Sequence, residues 1–114
     1  MPAGDVRIFV ATSPIDFRKG MDGLAGHIAN SFQLDPYSGA IFVFRSRRAD
    51  RMKLIVWDGT GLIMVTKRMH RKGFVWPIPQ ADPYALSKVQ FAALFEGGEW
   101  RRIVPPKTST PKFL

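Results

Sequence analysis

Residues 42–59 read FVFRSRRADRMKLIVWDG, and the chain continues TGLIMVTKRMHRK to residue 72. Three apolar runs, at about 40–45, 53–58 and 62–68, are separated by the basic segment SRRADRM and by the turn DGTG. Each run carries the β-branched and aromatic residues that fit a pleated sheet. Asp-Gly between two such runs is a strong hairpin signal. The stretch therefore reads as an antiparallel meander of three strands. Successive connections of a meander lie at opposite ends, so SRRADRM and the exit of the third strand at 67–72 share one end, with DGTG at the other.

That geometry collects charge. The net charge is +8. Segment 45–53 holds five Lys/Arg against Asp50, and segment 67–72 holds four Lys/Arg with no acid. The other eight Lys/Arg of the chain balance its other eight Asp/Glu, so all the excess sits in fifteen residues. Charge spent on solubility is spread over a surface, whereas concentrated charge raises a local field that draws polyanions. The expected patch comprises Arg45, Arg47, Arg48, Arg51, Lys53, Lys67, Arg68, Arg71 and Lys72. Arginine outnumbers lysine in it by six to three, which suits bidentate phosphate recognition. A solvated hairpin end that keeps an apolar sheet from aggregating would carry similar charge.

Outward from the meander, VRIFVAT at 6–12 reads as a further strand, and Met21, Leu24, Ala25, Ile28 and Phe32 recur at helical spacing with Asp16 as the expected N-cap. GFVWP at 73–77 reads as an edge strand closed by Pro77 and Pro79. LSKVQFAALFEG at 86–97 is the best-signed helix. Ser87 and Gln90 form an S-x-x-Q capping box, Leu86 and Phe91 fit a hydrophobic staple, and Gly97 is placed to end the helix. The expectation is a single compact α+β domain over residues 1–103, an antiparallel β-meander with two α-helices. The Pro/Ser/Thr/Lys-rich residues 104–114 read as a disordered tail. The strands are apolar on both faces, so either the helices divide between the faces or one face is covered by self-association or a protein partner.

At 114 residues and 46% hydrophobic, the chain can bury a core without staples. It has no cysteine, which excludes disulfides and thiolate metal sites. No apolar run approaches the ~20 residues of a membrane span, and the N-terminus does not read as a signal peptide, so a cytoplasmic protein is expected. Asp16, Asp22 and Asp58 are carboxylates that a metal-dependent nuclease would need, but nothing in their spacing unites them, and no metal, cofactor or catalytic residue is expected. His27 has no partner for a triad, and His70 belongs to the basic run. G-x-x-G-x-x-G at 20–26 is neither a dinucleotide fingerprint nor a phosphate loop, and reads as close helix packing. Trp57, Phe74 and Trp76 could stack on unpaired bases but read better as core or interface residues.

The succession DFRKGMDGLA, DPYSGAIFVFRSRRADRMKLIVWDGTG and KRMHRKGFVWP resembles the Orf2-like accessory proteins, also called TnpB, of the insertion sequence 66 family of bacterial transposable elements. The resemblance runs from about Val6 to Phe95. It marks Asp16, Arg18, Lys19 and Gly20; Asp35, Pro36 and Gly39; Phe42, Phe44, Arg47, Arg48, Lys53, Trp57, Asp58 and Gly61; and Lys67, Arg68, Phe74, Trp76 and Pro77. There are two departures from it: Phe17 stands where the family usually has Met, and Met69-His70 where it usually has Leu-Glu. The second departure makes this patch more positive. The resemblance implies a small protein needed for efficient transposition, with strand transfer left to a separate, larger transposase. The expected function, from the resemblance and the basic patch together, is a non-catalytic accessory protein for DNA transposition of an insertion sequence, with the transposase as a partner and DNA bound at the patch. The alternative is a module that docks on the transposase without touching DNA.

Overall fold

The computed structural model describes residues 6–70, 73–78 and 81–103. The meander is present: β2 (Ile41–Arg45), β3 (Arg51–Trp57) and β4 (Leu62–Arg68) are consecutive antiparallel neighbours. The DGTG turn that joins β3 to β4 is held by its own first residue. The Asp58 carboxylate accepts from the backbone N–H of Thr60 and of Gly61 and from the Thr60 hydroxyl at 2.8–3.0 Å. Gly59 takes φ +103°, which a side chain would resist.

The sheet extends beyond the meander as β4-β3-β2-β1-β5, with β1 at Ile8–Val10 and β5 at Tyr84–Leu86. It is therefore mixed. β1 runs parallel to β2, pairing Ile8 with Ile41 and Val10 with Val43, and β5 runs antiparallel to β1. A parallel neighbour needs a crossover connection, and here it contains α1 (Met21–His27) and its π-helical continuation over Ile28–Phe32. The outer strand beside β1 is β5, not the expected GFVWP. Residues 73–78 form no strand and run instead over one sheet face. There Phe74 and Pro77 are buried and the Trp76 indole N–H donates to the Ala11 carbonyl at 2.7 Å.

Each face has its own cover. α1 and its π-helical continuation place Leu24 and Ile28 on Phe42, Phe44 and Ile55. The opposite face, with Ile8, Val10, Val43 and Met52, receives Leu94 of α2 (Lys88–Phe95) together with Phe74 and Trp100. The helices thus divide between the faces, which explains strands that are apolar on both. α2 begins as its sequence implies: Ser87 accepts from the Gln90 N–H at 3.1 Å, and the Gln90 side chain accepts from the Ser87 N–H at 3.0 Å. α1 begins later than expected. Its N-cap is Gly20, and Asp16 is spent on a bidentate ion pair with Arg18.

The glycines of α1 are not packing residues. A Cβ added at Gly20 or Gly26 meets nothing within 4 Å, and one at Gly23 meets only the flexible Lys19 side chain at 3.4 Å. His27 packs edge-on to Phe32 and Phe44, with ring centroids 5.0 and 5.9 Å away. The tail at 104–114 and Pro79 lie outside the described residues.

Candidate nucleic-acid interface

The β2–β3 connection is built on Ser46, which is buried. Its hydroxyl donates to the Asp50 carboxylate and accepts from the Arg51 N–H, both at 3.1 Å, and its backbone N–H bonds Arg51 at 3.0 Å. The closed loop turns at Ala49, which takes φ +61°, and leaves Arg47 and Arg48 pointing into solvent.

The chain leaving β4 returns to this loop. Met69 N–H bonds the Asp50 carbonyl and Phe74 N–H bonds the Ala49 carbonyl, each at 2.7 Å. Gly73 lies so close that a Cβ would stand 2.6 Å from the Ala49 oxygen. The two basic segments, twenty residues apart in sequence, are thereby joined by backbone hydrogen bonds. One step inward, Arg51 and Arg68 are directly opposed across the ladder, both exposed.

Two of the nine expected cations do other jobs. Lys53 is 8% exposed and lies on the α1 face between Phe44 and the 13–20 loop. Its ammonium donates to the carbonyls of Phe17 at 2.7 Å and Lys19 at 2.8 Å, and sits 4.6 Å over the Phe17 ring. Lys67 points to the other face. It donates to the Phe95 carbonyl at 2.6 Å and lies 3.9 Å over that residue's ring, so it closes the C-terminal turn of α2, where a cation is favoured by the helix dipole. Arg45 is half-buried with its Nε enclosed and unpartnered, and desolvation lowers its pKa. Arg71 and Lys72 lie outside the described residues.

Four expected cations therefore remain at the surface: Arg47, Arg48, Arg51 and Arg68. Among the described residues none of them is ion-paired, since the two ion pairs found are Arg18–Asp16 and Arg101–Glu99. The anchoring role of Lys53 adds a fifth that sequence reasoning left out of the patch. By holding the Phe17 and Lys19 carbonyls it brings the DFRKG loop to the same end of the sheet, where Lys19 is exposed. Pro14, Ile15, Asp16, Phe17 and Arg18 of that loop line an open cleft of about 420 Å³ with Arg47. Arg18 brings little net charge, because Asp16 neutralises it. The Arg18 hydrogen bonds hold the Asp16 carboxyl far below the usual carboxylate range.

Of the carboxylates singled out from the sequence, Asp16 and Asp58 are engaged elsewhere in the fold. Asp16 pairs with Arg18, Asp58 closes the hairpin turn, and among the described residues no three His, Cys, Asp or Glu side chains are placed to hold a metal ion. Trp57 packs edge-on against Tyr37 at 5.5 Å and Trp76 is tied to Ala11, so the aromatics serve packing. No helix among the described residues is long and apolar enough to cross a membrane.

The family model described as IS66 Orf2 like protein matches residues 6–105. The chain belongs to the IS66 Orf2-like family. Its members are transposition-associated accessory proteins, and this chain is one of them. Among similar proteins are two from Sinorhizobium fredii (strain NBRC 101917 / NGR234), each titled an uncharacterized protein. The protein y4jC is 41% identical over 102 residues, covering 90% of this chain and 87% of the relative. The protein y4hO is 38% identical over 112 residues, covering 97% and 96%. No solved structure matches the chain. Several positions that mark the Orf2-like resemblance are now accounted for by structure: Lys53 and Lys67 as anchors, Asp58 as the turn former, Phe42 and Phe44 as core.

Proposed function

We propose that this Orf2-like protein is a non-catalytic accessory factor that binds DNA through the surface formed by Lys19, Arg47, Arg48, Arg51 and Arg68. One observation carries the reading: Arg51 and Arg68 are held face to face on adjacent strands with no carboxylate paired to either among the described residues. Opposed like charges cost stability, and a polyanion relieves that cost. The neighbouring Arg47, Arg48 and Lys19 extend the same positive surface. Phosphate contacts of this kind position a protein on DNA without reading its sequence. The transposase of the element is the second partner in this reading, supported by membership of a transposition accessory family.

Fluorescence anisotropy with element-end and random duplexes, across a salt series, tests the proposal. Binding should weaken with a log–log slope on the order of −4 if about four cations meet phosphates. Arg47→Glu, Arg48→Glu and Arg68→Glu together should abolish it. Loss of transposition in that triple variant, with no DNA affinity in the wild type, would replace the reading with docking of the basic surface on an acidic protein.

A further inference from the structure

The two outer strands of the sheet are built differently. β5 has three residues and follows Pro83 directly, a short edge of the kind that resists further pairing. β4 has seven residues and no proline. On its α2 face Ile63 and Val65 remain 41% and 43% exposed. The hydrogen bonds Asp58 N–H to Gly61 O at 3.0 Å and Met69 N–H to Asp50 O at 2.7 Å frame the β3–β4 ladder. Between them, residues 63, 65 and 67 turn their amide groups toward β3. Residues 62, 64, 66 and 68 therefore turn theirs outward, and no described residue lies beyond β4 in the sheet.

We propose that β4 pairs antiparallel with β4 of a second copy of this chain, about a two-fold axis at Val65. The charge along the strand selects this occupant and this direction. Asp58 lies in the turn that opens β4, its carboxyl held below the usual range chiefly by the Thr60 and Gly61 amides, so that end stays anionic. Lys67 and Arg68 close the strand. Antiparallel pairing sets each acidic turn beside the other copy's basic end, twice by symmetry, whereas parallel pairing would set Arg68 beside Arg68.

The register centred on Val65 matches 62 with 68 and 64 with 66, so every outward-facing residue of the strand finds a partner. A shift of two residues leaves some of them unmatched. The same register brings Val65 against Val65 of the second copy and Ile63 against the stem of Lys67, covering the exposed apolar pair. A single strand-to-strand contact buries less than the roughly 1,200–2,000 Å² of a standard interface, so the pairing operates at micromolar rather than nanomolar concentrations. The axis stands perpendicular to the sheet, so the Arg51–Arg68 pairs of both copies keep to the same face of the joined sheet but lie at opposite ends of the paired strands, with the two Arg68 residues about 20 Å apart along them. The pairing itself does not depend on DNA.

Sedimentation equilibrium and amide hydrogen exchange test it. The wild type should shift from monomer to dimer across the micromolar range. Exchange at Leu62, Met64, Thr66 and Arg68 should slow with concentration, while Ile63, Val65 and Lys67 are protected throughout. Val65→Lys and Val65→Glu should each weaken self-association by on the order of tenfold, and an equimolar mixture of the two should restore it. Thr66→Pro removes an outward N–H without touching the β3 ladder and should also dissociate the dimer, with circular dichroism confirming that all three variants fold. A dimer that these variants leave intact overturns the proposal. So does a monomer at every concentration whose β4 amides become protected only when a foreign protein is added, which would assign the edge to a foreign strand.

Discussion

Arg51 and Arg68 occupy directly opposite positions on β3 and β4, both exposed, in a sheet end that offers neither an ion pair among the described residues. Opposed like charges on adjacent strands cost a few tenths to about 1 kcal/mol. Arg68→Thr should therefore raise unfolding stability, by about 0.5 kcal/mol in a urea titration, while weakening DNA binding and reducing the salt slope by about one. Opposite movement of the two readouts is what a residue kept for a ligand produces. An unchanged slope would remove Arg68 from the interface.

Lys53 makes the contrasting case. Its ammonium is nearly enclosed and satisfies two backbone carbonyls of the DFRKG loop. Lys53→Met would leave those carbonyls without their donor, so a loss of about 1–3 kcal/mol is expected from urea titration. The salt slope of DNA binding should stay within error of wild type, because this cation does not face solvent. A slope reduced by about one with stability intact would return Lys53 to the patch.

The difference between these two residues marks what could be read from the sequence. The meander, the capping box at Ser87 and the meeting of the two basic segments follow from local signals: alternation, an Asp-Gly turn, and hydrogen-bonding side chains at fixed offsets. The sense of β1 does not follow, because its pairing depends on a crossover whose direction no residue encodes locally. β5 was missed for a related reason: Tyr84–Leu86 is too short to show a period and gains its strand geometry from β1 alone. For the site, net charge treats every cation alike, whereas strand alternation does not. Lys53 shares a face with Ile55 and Trp57, and a lysine in that position is a sign of an inward-pointing anchor. Lys19 carried no such sign, since it reaches the patch only through contacts made by Lys53.

Two glycines should respond in opposite directions to the same substitution. Gly26 sits in α1 with open space around an added Cβ and no positive φ, so Gly26→Ala should stabilise the fold by about 1 kcal/mol through helix propensity. At Gly73 the added Cβ would stand 2.6 Å from the Ala49 carbonyl, which is backbone and cannot swing aside. Gly73→Ala should cost about 1–3 kcal/mol and weaken DNA binding, because the strand exit and the β2–β3 loop must separate to admit it. Thermal melts of the two variants check the first part. Faster hydrogen exchange in Gly73→Ala at the Phe74 amide, which bonds the Ala49 carbonyl, checks the second.

Glu99 makes the pH dependence of the α2 end specific. Its carboxylate accepts from Arg101 Nε at 2.7 Å and Nη2 at 2.8 Å, and these hydrogen bonds lower its pKa from 4.5 to about 2. A carboxyl whose pKa falls on folding adds stability above its unfolded value, near 4.5, and loses that contribution as pH drops toward the folded value near 2. Both side chains are more than a third exposed, so the contribution is small and weakens with salt. Arg101→Gln should return the Glu99 carboxyl titration, followed by NMR, to near 4.5. The stability difference between this variant and wild type should be present at neutral pH and close between about pH 4.5 and 2. A wild-type midpoint near 4.5 would mean that the Glu99–Arg101 pair does not persist in solution.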